Sequence, residues 1–113
     1  MKLRTLASAA LAGVLMLGAT AVAEPTPTEA RGEVLIRRHC GGCHAVDRTG
    51  PSPEPAAPPL RELHRRYDPE VLSEALGEGL LTGHPLMPEF RFAPDDVQAI
   101  IDYLQSIQTR AAS

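Results

Sequence analysis

The chain has only two cysteines, Cys40 and Cys43, and they lie three positions apart. A disulfide framework is thereby excluded, and a bridge between such near neighbours closes too small a loop to stabilise a domain. Lysine is almost missing: the single one is Lys2. Removing Lys2 and Arg4 from the 11 basic residues leaves nine against 14 acidic ones, a net of −5, with arginine as the only strong base. That balance excludes a nucleic-acid binder, which needs a basic face. After the first 23 residues there is no second long apolar run, no stretch with the alternation of a strand and no internal repeat. A chain with several membrane spans and a β-rich domain are both excluded on those grounds.

The N-terminus reads as a secretory signal peptide over residues 1–23. Met1-Lys2-Leu3-Arg4 is basic, Leu6 to Ala19 is apolar, and Ala21-Val22-Ala23 is a small-x-small cleavage site before Glu24. Left uncleaved, the run from Leu6 to Ala23 just reaches across a bilayer. No cysteine follows it directly, which argues against lipoprotein processing. The expected product is an exported, soluble, periplasmic chain of 90 residues from Glu24 to Ser113. A domain that small has a thin core and needs a staple. With disulfides excluded, a bound prosthetic group is the remaining candidate.

Within the mature chain, residues 24–29 read as a flexible lead-in and residues 30–110 as one domain. A short helix is expected over 30–39, running straight into Cys40-Gly41-Gly42-Cys43-His44. Five prolines between Pro51 and Pro59 make the next stretch an extended, stiff loop, either a plain connector or a brace. Leu60 to Arg66 reads as a short helix. Asp68-Pro69 caps and starts another, with Val71, Leu72, Ala75 and Leu76 apolar and Gly77, Gly79 and Gly83 ending it. Pro94, Asp95 and Asp96 open the last helix, whose Val97, Ile100, Ile101, Leu104 and Ile107 share one face. The fold class is therefore all-α, a bundle of three to five helices.

Cys40-x-x-Cys43-His44 carries the chemistry. Two thiols at this spacing can add across the two vinyl groups of a haem, and the adjacent histidine then lies under the iron. This is the attachment pattern for one covalent haem c. A thioredoxin-like dithiol would need a βαβ setting. A zinc site would need four ligands, and His39, Cys40, Cys43 and His44 are too close in sequence to close a tetrahedron comfortably.

With that motif in place, the sequence resembles the class I c-type cytochromes, in their short bacterial monohaem form, over roughly residues 30–108. Gly32 stands where the family has a glycine that lets the first and last helices cross closely. Ile36 takes the place of its usual apolar contact. Ile100-Ile101-Asp102-Tyr103-Leu104 is similar to the terminal-helix pattern. By resemblance, the carbonyl of Pro58 accepts from the proximal His44, and Met87-Pro88-x-Phe90 supplies the distal iron ligand. Methionine also fills apolar gaps in cores, but Met87 is the only one left after signal removal. His84, in the same loop, is the rival sixth ligand. Arg66 matches the family's spacing for an arginine on a haem propionate, with Arg91 as a second candidate. His39 and His64 read as solvated.

The resemblance implies a fold wrapped around its haem, buried against Leu35, Ile36, Leu60, Leu72, Leu76, Leu86, Phe90 and Ile101. It implies a one-electron carrier rather than an enzyme, with His44 and Met87 on the iron and transient redox partners; the sequence leaves the oligomeric state open, with a monomer favoured. The chain lacks the lysine ring that some members carry. A subunit of a larger periplasmic redox enzyme is the alternative. A ligand-sensing or peroxidase-like haem is a third reading, and it requires a displaceable Met87.

Overall fold

A computed structural model describes residues 7–16, 18, 23–79 and 86–109. The first helix, α1 (Pro27–His39), is set by its N-terminus. The Thr26 side chain accepts from the Glu29 amide at 3.1 Å, and the Glu29 carboxylate accepts from the Thr26 amide at 2.9 Å. This reciprocal box, with Pro27 in the first turn, draws the helix three residues into the stretch expected to be flexible. Arg37, Arg38 and His39 fill its last turn, where positive charge suits the dipole.

The proline-rich loop follows. It is pinned back onto the chain just after the cysteines. Glu54 donates its amide to Cys43 O at 3.0 Å, Ala45 donates its amide to Ser52 Oγ at 2.9 Å, and Leu60 donates its amide to Ala45 O at 3.0 Å. The segment expected as a helix from Leu60 is a 3₁₀ helix, Leu60–Arg65. Its Leu60 and Leu63 are buried. The Asp68 side chain caps the Glu70 amide, but what it starts is a single 3₁₀ turn, Pro69–Val71, which leads into α2 (Leu72–Glu78). Gly77 lies inside α2, and Gly79 ends it at φ +109°, where a residue with a side chain would be strained. Gly83 lies outside the described residues.

The last helix, α3 (Pro94–Ser106), crosses α1. Val97, Ile100, Ile101 and Leu104 on it, and Ile107 just beyond, are all buried, as their spacing implies. Gly32 explains how close the helices come. A Cβ there would overlap the Ala99 carbonyl oxygen and lie 2.6 Å from its carbon and 2.9 Å from Tyr103 Cβ. Arg31 Nε donates to Asp96 Oδ1 at 2.8 Å across the same crossing. Tyr103 is buried on this face, and its hydroxyl donates to Val46 O at 2.7 Å, tying α3 to the chain that follows the cysteines.

The architecture is all-α, with three α-helices and two 3₁₀ segments and no strand among the described residues. The core joins Ile36, Val46, Leu60, Leu63 and Leu76 to the buried face of α3. No helix among the described residues is long and apolar enough to cross a membrane. The described part of the N-terminal apolar run is irregular and exposed, with Leu11 at 96 % and Met16 at 90 %.

Candidate functional site

The α1 helix ends where the cysteines begin. The amides of Cys40 and Gly41 both donate to Ile36 O, at 2.8 and 3.1 Å, and those of Cys43 and His44 return to Cys40 O at 3.2 and 2.9 Å. This tight turn places both thiols and the imidazole on one cleft. Cys40 is half-buried and Cys43 exposed, and both are free thiols. Burial pushes the Cys40 thiol up to about 11, so it is a neutral S–H near pH 7.

The cleft encloses a cavity of about 230 Å³. Three stretches of chain line it: His39 and Cys40 with Gly42, Cys43 and His44; Glu54 with Ala56, Ala57 and Pro58 of the proline-rich loop; and Leu86, Met87, Pro88 and Phe90. Residues 43 positions apart, His44 and Met87, thus share one mostly apolar cleft.

The His44 ring is fixed by a single bond. Its Nδ1 lies 2.7 Å from Pro58 O. A carbonyl can only accept, so the proton sits on Nδ1 and Nε2 keeps its lone pair for a ligand. The proline-rich loop therefore acts as a brace: its pinned backbone holds the acceptor that holds the ring.

This donor set fits a covalently attached haem. Two thiols, an imidazole of defined tautomer and a thioether meet in one apolar cleft, which is the chemistry such a group requires. Among the described residues no group of three or more histidine, cysteine, aspartate or glutamate side chains is placed to hold a metal ion by itself.

Other expected residues fall elsewhere. Arg66 is exposed at the end of the 3₁₀ segment, and neither it nor the exposed Arg91 lines the cleft. His84 lies outside the described residues. Of the eight apolar residues expected around the haem, only Leu86 and Phe90 line the cleft. Ile36, Leu60, Leu76 and Ile101 are buried in the protein core, and Leu35 and Leu72 pack against it. Their helical faces meet other side chains first.

Two histidines read as solvated are not. His64 Nδ1 donates toward Arg61 O at 3.2 Å and Gln108 Oε1 at 3.1 Å, partners 3 and 44 residues away. His39 is half-buried and meets two phenylalanine rings at near right angles, Phe90 at 5.6 Å and Phe92 at 5.2 Å between centroids. The phenylalanines stack on each other at 5.8 Å. Aromatic pairs in contact leave a hint at Phe90-x-Phe92, but nothing in the sequence near His39 points to partners 50 residues on.

The family model described as Cytochrome C oxidase, cbb3-type, subunit III matches residues 27–104. No curated protein and no solved structure matches the chain.

Proposed function

We propose, for a chain that belongs to this family of cytochrome c domains and is a class I c-type cytochrome, that it is a periplasmic one-electron carrier with His44 and Met87 as its iron ligands. A cytochrome c domain holds its haem covalently and serves electron transfer. When bound, the haem supplies an iron that cycles between ferrous and ferric states.

The chain's own residues do the rest. Cys40 and Cys43 would hold the haem through thioether bonds to its two vinyl groups. His44 keeps its proton on Nδ1 against Pro58 O and offers Nε2 to the metal. Met87 would offer a soft thioether, a ligand that paired with histidine favours the ferrous state and raises the potential. Pro88 stiffens the ligand segment, and Ala56, Ala57, Leu86 and Phe90 keep the surroundings apolar. With His44 and Met87 both bound to the iron, no position would remain for substrate, and the chain would pass electrons to transient redox partners.

The observation that carries this reading is the His44–Pro58 bond beside a cleft that Met87 also lines. The test is the optical spectrum of the haem-loaded protein. The expected result is a low-spin c-type spectrum with the weak far-red iron–thioether band in the ferric form and no rapid carbon monoxide binding in the ferrous form. A high-spin spectrum with avid carbon monoxide binding would overturn it. A low-spin spectrum without the far-red band would remove Met87 and bring in His84 or another nitrogen ligand.

A second reading keeps this chemistry but makes the chain a subunit of a larger redox enzyme. The family's own description, which names an oxidase subunit, favours it. Co-purification with a larger haem enzyme from detergent-solubilised membranes is its test.

A further inference from the structure

We infer that His39 is a positioning residue for the distal ligand segment: it locks Phe90 and Phe92 against the end of α1 and so keeps Met87 at the cleft. The inference rests on the reading of Met87 as an iron ligand.

Three observations support it. Phe92 is the fixed end of the segment. Its amide donates to Leu76 O at 2.9 Å, and its ring packs against the core. Phe90 stacks on Phe92 at an interplanar angle of 27° and itself lines the cleft, three residues after Met87. His39 then meets both rings nearly perpendicularly, at 68° and 78°. That is the edge-to-face arrangement that aromatic pairs favour.

His39 is also the last residue of α1 and directly precedes Cys40. The ring cluster therefore joins the segment bearing the thiols and His44 to the segment bearing Met87. Without it, the stretch from Leu86 to Arg91 keeps its anchor at Phe92 but loses the side contact nearest the cleft. Leu86 is 83 % exposed, and Pro88 and Glu89 are exposed too.

The test is competition at the iron in the haem-loaded full chain. Imidazole is titrated into the ferric protein while the far-red band is followed, so that its apparent affinity reports how readily Met87 lets go. The variants are His39→Ala, His39→Leu, which keeps bulk without a ring, and His39→Phe, which restores the aromatic contact. Ile107→Val is the control, since it thins the buried core just beyond the end of α3.

The expected result is imidazole binding about tenfold tighter in His39→Ala and His39→Leu. Values near the original are expected in His39→Phe and Ile107→Val. If His39→Ala and His39→Leu both bind imidazole as the original does, the inference fails while the Met87 reading stands. If Ile107→Val tightens binding as much as they do, general destabilisation explains the effect and the inference fails. If the original protein has no far-red band, the Met87 reading fails and takes this inference with it.

Discussion

At the α1–α3 crossing, Gly32 brings two backbones together, and Ile36, Ile100, Ile101 and Leu104 fill the space beside them with aliphatic side chains. At the cleft, by contrast, the walls come from a helix end, a proline-rich loop and the segment from Leu86 to Phe90. Backbone hydrogen bonds and single ring contacts hold these stretches, rather than interlocking helices. One region is a packed interface whose parts contact each other. The other is a frame of helix-end and loop residues around a mostly apolar cleft. Small domains are marginal in core, and here the core is concentrated on one side. The difference yields an expectation: a haem held in the cleft would bury that apolar lining and so stabilise the fold as well as serve electron transfer.

The largest test of that contrast removes the attachment. The double variant Cys40→Ser with Cys43→Ser, made without haem, is expected to show no cooperative thermal transition by circular dichroism. A sharp transition would mean that the helix crossing stands alone, and the comparison would collapse. The reverse test attacks the crossing. Gly32→Ala forces a Cβ into the Ala99 carbonyl, and overpacking of this kind costs about 3 kcal/mol or more where backbone must move. At about 4–8 °C per kcal/mol for a domain of this size, the haem-loaded protein should melt at least 12 °C lower, with the far-red band of the folded fraction unchanged.

A smaller effect probes the link between the regions. Tyr103→Phe removes the hydroxyl that donates to Val46 O at 2.7 Å and leaves a buried acceptor unpaired, at a cost of about 1–2 kcal/mol in denaturant unfolding. The same burial that makes this bond matter pushes the Tyr103 phenol above its ordinary range.

The smallest effect is electrostatic. Arg37 pairs with Glu33 at 2.8 Å and with Asp47 just past Cys40-x-x-Cys43-His44, all of them partly or largely exposed. The Arg37 guanidinium holds the Asp47 carboxyl below its usual range. A carboxyl lowered in the folded state stabilises the protein above its ordinary pKa and loses that contribution as pH falls through the folded value. Arg37→Ala should therefore cost under about 1 kcal/mol at neutral pH and low salt. Its stability should converge with the original protein as the medium is acidified below the carboxylate range, read by urea titration at several pH values.

The sequence makes the two regions unequally legible. Val97, Ile100, Ile101, Leu104 and Ile107 declare their shared face by spacing alone, because a helix repeats. The helix-breaking glycine Gly79 and the cap at Asp68 are likewise local signals. The start of α1 is harder to see: prolines and threonines hide a capping box that Thr26 and Glu29 spell out at the right spacing. In the cleft, the attachment motif is local and visible, while the contacts that shape its surroundings are not. Gln108 reaches His64 across 44 residues, and Phe90 and Phe92 reach His39 across about 50. Such partners depend on how the chain returns on itself, which no short window records. The loop at Ala56 and Ala57 is a further case: small residues carry no signal until the wall they form is seen.

The crossing that joins α1 to α3 has one more effect. Arg31 and Asp96 are 65 residues apart, so the interface that completes the core cannot form until nearly all of the domain has been made. Contacts of such long sequence separation form late and slowly. A chain broken off before Pro94 has no surface for Gly32 to meet and stays open to proteases. The fold thus carries its own length check: the domain closes only once α3 has been made.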